Sequence, residues 1–301
     1  MKIGTIIAFR NETIGEPEGG TYRLLAKAGF DCIDFSLAHP VNAPIWQLSD
    51  EELKAEMLRQ REMIESCGLT VSQSHSPYDY NLGCAWMDPE KRKGFWHAQV
   101  QAIKAASFIG SPYTVIHALT IPGRMAKEGF YEETKRCNME FFAFLKPWLE
   151  EYDVRLAIEN AFIADHTLGR MDRCGCSGAD DLIDYIDSTG SDRFVACLDT
   201  GHAQVAGQDP VEMIYKLGKK YLRVLHIQDT DLIRDQHMFP GSGKGDWYRI
   251  GQALRDIGFE GAFSFELSNP YWLRFPELEK DMLPVLHRFY VELGKAITGT
   301  D

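Results

Sequence analysis

Short apolar runs alternate with longer amphipathic stretches from one end of the chain to the other. The runs cover residues 2–9, 32–37, 69–75, 113–117, 155–159, 194–199, 222–226 and 262–266. They are short, apolar and often β-branched or aromatic, which predicts eight strands. The stretches between them carry helix signals. Ser49-Asp50-Glu51-Glu52 supplies a cap and early acids ahead of Leu53, Met57 and Ile64, and Cys67-Gly68 supplies the stop. Asp88-Pro89 and Asp209-Pro210 open two further helices, while Gly218 and Gly258 close others. Strand then helix, eight times over, predicts parallel strands with crossover helices, and eight such units close into a barrel. The expected fold is α/β, a single (β/α)8 TIM barrel forming one domain over residues 1–301. An open doubly wound sheet is the alternative. It would want a glycine-rich turn after the first strand, and Phe9-Arg10-Asn11-Glu12 is not one.

In such a barrel the chemistry sits at the C-terminal ends of the strands. Six predicted strands end on His75, His117, Glu159, Asp199, His226 and Glu266. Burial alone would not select six ionisable groups there, and unpaired carboxylates in a closed mouth would repel one another. Alternation along each strand sorts the rest. With Glu159 inward, Ala157 also points in, and Leu156 and Ile158 face the helices. With Asp199 inward, Cys197 points in. With Glu266 inward, Ser264 points in, and Phe263 and Phe265 point out. The expectation is a divalent ion held by Glu159, Asp199, His226 and Glu266. Three carboxylates and one imidazole suit Mn²⁺ first, with Mg²⁺, Co²⁺ and Zn²⁺ as alternatives.

The following loops offer more groups. His202 stands three residues past Asp199. Asp235 and His237 follow the seventh strand as extra ligands or as partners for substrate hydroxyls. Pro240-Gly241-Ser242-Gly243-Lys244-Gly245-Asp246-Trp247 is a glycine-rich loop whose N–H groups could hold a phosphate or another anion, although Asp246 also reads as a plain helix cap. Trp46, Trp86 and Trp247 could wall a sugar ring or simply pack loops.

Composition narrows the classes. A formal charge of −12 disfavours general nucleic-acid binding, and the basic clusters at 91–93 and 219–220 read as solvated helix faces. No apolar run is long enough to cross a bilayer, and residues 1–7 read as a strand rather than a secretion signal. Seven scattered cysteines suit a reducing cytoplasm, with Cys174-Gly175-Cys176 the one close pair.

Leu156-Ala157-Ile158-Glu159-Asn160, Cys197-Leu198-Asp199-Thr200-Gly201-His202, Leu225-His226-Ile227-Gln228-Asp229 and Ser264-Phe265-Glu266-Leu267 resemble the xylose-isomerase-like barrel superfamily. That group holds sugar and sugar-phosphate isomerases and epimerases, together with endonuclease IV. The ketose 3-epimerase branch implies one Mn²⁺-like ion on Glu159, Asp199, His226 and Glu266. It implies the two glutamates as the acid/base pair, His202 on substrate oxygens, and an arginine after the seventh strand, for which Arg234 is the nearest candidate. The endonuclease IV branch implies three zinc ions on those four residues together with His75, His117, His202, Asp235 and His237. A homodimer or homotetramer is also implied.

The expected activity is metal-dependent sugar or sugar-phosphate isomerisation or epimerisation through an enediolate. Glu159 and Glu266 would be catalytic, with His75, His117, His202, Arg234, Asp235 and His237 facing the substrate. The rival readings are a multi-zinc phosphodiesterase acting on abasic DNA and a sugar-binding barrel without catalysis.

Overall fold

Eight strands occupy the places that the apolar runs predict. The protein is seen here as a computed structural model that describes residues 2–7, 20–78, 88–119, 130–165, 170–267 and 279–298. The barrel strands are β1 (Ile3–Ile7), β2 (Cys32–Ser36), β3 (Thr70–His75), β4 (Tyr113–His117), β5 (Arg155–Glu159), β8 (Phe194–Asp199), β9 (Leu222–His226) and β10 (Phe263–Phe265). All neighbours are parallel, in the order β10-β1-β2-β3-β4-β5-β8-β9. Pairing of Ile3 with Phe263 joins the last strand to the first. Ile227 closes the ring beyond β9: its N–H donates to the Ser264 carbonyl at 2.8 Å, and its carbonyl accepts from the Glu266 N–H at 3.1 Å. The Phe9–Glu12 turn lies outside the described residues.

The outer layer contains α1 (Gly20–Ala28), α2 (Asp50–Ser66), α3 (Pro89–Ile109), α4 (Phe130–Glu151), α5 (Ala179–Ser188), α6 (Thr200–Val205), α7 (Pro210–Tyr221), α8 (Trp247–Asp256) and α9 (Glu279–Thr298). Their ends follow the chain's own signals. Ser49 and Glu52 form a reciprocal capping box, and Gly68 takes a left-handed φ of 80° just beyond α2. Asp88, Asp209 and Asp246 each accept backbone N–H bonds as N-caps. At Gly218 the backbone leaves helical geometry, which turns the chain from α7 toward β9.

Side-chain alternation divides the apolar residues as expected. Val115, Ala157, Val195, Cys197 and Val224 form a small cluster of their own inside the barrel. Leu156, Ile158, Leu198, Phe263 and Phe265 belong to the larger layer between strands and helices. Small side chains inside suit the narrow barrel interior, and the large ones bury their area against the helices.

One element was not anticipated. Phe162–Asp165 (β6) and Arg170–Arg173 (β7) form an antiparallel hairpin after β5. Each arm has four residues and no sustained apolar alternation, so periodicity gives it little signal.

Candidate metal and substrate site at the barrel mouth

β5, β8 and β9 end on Glu159, Asp199 and His226, and Glu266 follows β10 directly. Their ligand atoms all lie within 4.8 Å of one another. His226 is fully buried between two acidic sides. Its Nδ1 is 2.9 Å from both Glu159 Oε1 and Glu266 Oε2, and its Nε2 is 2.9 Å from Asp34 Oδ2. Glu159 Oε2 faces His117 Nε2 at 2.9 Å and His75 Nε2 at 3.5 Å. Across the mouth, Asp235 Oδ2 lies 3.0 Å from His237 Nε2 and 3.5 Å from His202 Nε2. His202 Nδ1, 3.5 Å from Glu159 Oε1, links the two sides, so that eight of the nine acidic and imidazole groups named from the sequence interlock. Asp199 joins them through His202, whose Nδ1 is 4.0 Å from its carboxylate.

Local structure explains the placement. Asp199 caps α6 by accepting the His202 N–H at 2.6 Å, which puts the His202 ring beside the strand ends. Asn160 locks the ends of β5 and β8 together: its Oδ1 accepts the Asp199 N–H at 2.7 Å, and its Nδ2 donates to the Asp199 carbonyl at 3.0 Å. Phe162, from the hairpin, packs edge-on to His202 with ring centroids 5.1 Å apart. Arg234 is different. Its side chain is exposed, and its backbone N–H donates to Asp231 in an outer turn.

Electrostatics follow from burial set against neighbours. Burial pushes the Asp199 carboxyl up to about 7, and the charge of His202 only partly offsets it. Burial also opposes the Glu266 charge, but His226 beside it brings that carboxyl down to about 2. Glu159 goes well below the carboxylate range against its burial, drawn by His226 and His117. His226 is held well above the usual imidazole value despite burial, by Glu266, Cys197 and Glu159. His237, again against burial, rises to about 9 through its hydrogen bond to Asp235. The two imidazoles on Glu159 diverge. His75 rises, because its bond to Glu159 outweighs burial; His117 falls, because burial dominates and the charge of His75 adds to it. Protons therefore supply the positive charge that this acidic cluster demands.

The donor set also fits a cation. Glu159 Oε2 and Glu266 Oε2 are buried, and no donor among the described residues meets them in hydrogen-bond geometry, close as the histidines are. Ligands across one dication stand about 4–4.5 Å apart at the usual bond lengths, so a 4.8 Å group needs little adjustment. Two further groups, His75-His117-Glu159 and His202-Asp235-His237, meet the same distance test. Cys197 lies beside Glu159 and His226, and burial pushes its thiol well up, which disfavours the thiolate while no ion is bound.

Two positions that contact the candidate site escape sequence reading. Asp34 sits within β2, not at its end, where the pairing with β3 shifts register. It accepts from Gln73 Nε2 at 2.7 Å as well as facing His226. The available signal was a lone carboxylate inside an apolar strand, which demands a partner. Gln228 is the other: its amide donates to both Asp199 oxygens and to Asp235.

The glycine-rich loop does hold an anion, but that anion belongs to the chain itself. Asp229 is buried and accepts from the N–H groups of Thr230, Gly241, Gly243 and Gly245 at 2.8–2.9 Å and from Trp247 Nε1 at 3.0 Å. A Cβ on Gly243 would come within 2.4 Å of the Asp229 carboxylate. The expected phosphate cradle is therefore filled by an internal carboxylate. Trp247 belongs to it. Trp46 is buried, its indole donating to the Pro40 carbonyl, so it packs a loop; Trp86 lies outside the described residues. Cys174 and Cys176 are buried free thiols. A separate cavity of about 650 Å³ opens at the opposite end of the barrel, beside Arg155, Lys220 and Arg223. Lys220 there lies 3.7 Å from Asp187, which also accepts from Tyr221.

Acidic and imidazole side chains gathered at the mouth of a closed parallel barrel define a (β/α)8 barrel with candidate metal groups at its strand ends. The family model described as xylose isomerase-like TIM barrel matches residues 22–285, and the chain belongs to that family. D-psicose 3-epimerase of Enterocloster bolteae is 32% identical over 117 residues, 39% of this chain and 35% of that protein. Probable endonuclease 4 of Shouchella clausii is 28% identical over 191 residues, 58% of this chain and 60% of that protein. Both matches thus span less than two thirds of the relative's length. The IolI protein, solved with a zinc atom, superposes with a TM-score of 0.70 at 17% identity, covering 98% of each chain. No helix among the described residues is long and apolar enough to cross a membrane.

Proposed function

We propose that the protein is a divalent-metal-dependent isomerase or epimerase of a sugar or sugar phosphate. One observation carries this reading: Glu159, Asp199, His226 and Glu266 bring ligand atoms within 4.8 Å of one another at the end of the barrel where such enzymes work. The ion bound there would supply Lewis-acid polarisation of a sugar carbonyl. Three hard carboxylate donors beside one imidazole favour Mn²⁺, with Mg²⁺, Co²⁺ and Zn²⁺ as alternatives. The psicose epimerase relative supports a sugar substrate, and the zinc in the IolI structure supports a divalent ion. Buried free thiols accord with a cytoplasmic setting.

The two glutamates divide the proton work. Glu266 retains 17% side-chain exposure although its Oε2 is buried against His226, so its outer edge meets the substrate directly. Glu159 is fully enclosed by histidines, which return charge to it from three sides. Proton removal beside the carbonyl gives an enediolate, and return of the proton from the same or the opposite face gives the product. His202, His237 and Asp235 orient substrate hydroxyls, and His75 and His117 buffer Glu159. Arg234 would take part only if its turn folded inward. The test is incubation of metal-loaded protein with a panel of ketoses and ketose phosphates in D₂O. Deuterium at the carbon beside the carbonyl is expected, and its absence across the panel with metal bound would refute the proposal.

A second reading has its own observation. The three ligand groups together contain all nine residues that the endonuclease IV resemblance names, and an endonuclease 4 is among the relatives. Three ions per chain and cleavage of an abasic duplex would establish that reading instead. The net charge of −12 weighs against a DNA partner.

A further inference from the structure

Gln228 takes no part in the chemistry just described, yet its side chain reaches three residues of the mouth, Asp199, Asp235 and His237. It is fully buried one turn of chain past His226. Its Nε2 lies 3.1 and 3.0 Å from the two Asp199 oxygens and 3.0 Å from Asp235 Oδ1. Its Oε1 accepts the backbone N–H of His237 at 2.9 Å. That residue has a left-handed φ of 47°, which costs a non-glycine residue and needs such a restraint. One uncharged amide therefore spans Asp199 on one side of the mouth and the Asp235–His237 pair on the other.

The surroundings are built to hold that amide. Thr200 Oγ1 accepts the Gln228 N–H at 3.0 Å and donates to its carbonyl at 2.7 Å. The next residue, Asp229, is fixed by four N–H groups of the glycine loop and by the N–H of Thr230. Gly201 leaves the space: a Cβ there would stand 2.4 Å from Gln228 Cδ. The choice of an amide also has a reason. A lysine or arginine would neutralise Asp199 and compete with a cation. An amide donates to both carboxylates, holds them in place and leaves their charge intact.

We propose that Gln228 is a positioning residue of the metal centre, orienting Asp199 as a ligand and tying it to Asp235 and His237. This rests on the metal reading above. The experiment measures Co²⁺ affinity by titration of its visible absorption, with no turnover required, in the wild type, Gln228→Met, Gly201→Ala and Gln60→Met. Gln228→Met keeps the volume and removes the donor. Gly201→Ala displaces the same side chain from its neighbour. Gln60, buried in α2 with Tyr22 and Glu56, controls for loss of a structural amide. The Kd is expected to rise about 10- to 100-fold in the first two variants and to stay unchanged in the third. Wild-type affinity in both Gln228→Met and Gly201→Ala overturns the role of Gln228 alone. A wild type that binds no Co²⁺ removes the metal reading and this inference together.

Discussion

Asp34 Oδ2 stands 2.9 Å from His226 Nε2, on the side of the imidazole opposite Glu159 and Glu266. A carboxylate behind a ligand histidine fixes its ring and raises its basicity, and it keeps the proton on the rear nitrogen so that Nδ1 can face an ion. Asp34→Asn can keep the shape of this contact but loses its charge. Metal affinity is expected to fall about 10- to 100-fold, with little change in fold. Titration of Co²⁺ into the variant, beside a far-ultraviolet dichroism spectrum, checks both parts.

The unequal enclosure of the glutamates gives opposite expectations for their amides. Glu266→Gln keeps a neutral oxygen ligand, so it is expected to weaken the ion less than Glu159→Gln does, and to lose deuterium exchange at saturating metal by about 10²- to 10⁴-fold, the range for a missing acid–base group. Glu159→Gln removes the charge that His75, His117, His202 and His226 all face and is expected to lose the ion first. Metal content by elemental analysis, set beside exchange rates, separates the two. Equal metal loss in both would contradict the division of labour.

Asp229 makes a different prediction, because its carboxylate serves the loop and not the mouth. Asp229→Asn leaves several N–H donors facing an NH₂ group, at a cost of about 3 kcal/mol. In a chain of this size that lowers Tm by roughly 5–10 °C. Gly243→Ala should act in the same direction through its clash with Asp229 and the Thr230 carbonyl. Inorganic phosphate should not stabilise the wild type through this loop, since the N–H groups are already occupied. Thermal melts with and without phosphate are the check.

The metal-free protein should show a distinctive pH dependence. Asp199, raised from 3.8 to about 7, contributes stability that is whole below its unfolded value and lost as pH rises through 7. His237, raised from 6.5 to about 9, contributes in the same sense and loses its share between those values. Glu266, lowered from 4.5 to about 2, behaves oppositely and loses its share as pH falls through that window. Tm without metal is therefore expected to decline from about pH 5 to about pH 9. Binding of an ion should release protons and tighten as pH rises. A metal-free Tm that climbs over this interval would refute the assignment of the shifts.

Much of the candidate site was legible because each strand-end group follows an apolar run, and several charges at equivalent strand ends of one barrel need a common partner where a single one would need only a hydrogen bond. Glu159, Asp199 and Glu266 could be turned inward by parity, and Ala157 and Cys197 below the first two lie in the inner cluster. Asp34 was hidden because it interrupts a strand, where a charge is easily read as noise in the pattern. Gln228 carries no charge and draws no notice. The anion in the glycine loop was legible as a need for negative charge. That Asp229 would fill it depends on a close approach across 12–16 residues, which local pattern does not encode. Arg234 came from family analogy, and it lies on an exposed turn.

The join between β9 and β10 passes through Ile227, with His226 immediately before it and Glu266 immediately after Phe265 on the facing strand. An ion gripped by those two side chains would act as a clasp on the narrowest seam of the hoop. Chelation would then do more than silence chemistry. It would let this seam breathe, and amide hydrogens at Ile227 and Glu266 would exchange sooner than those on the opposite wall between β4 and β5.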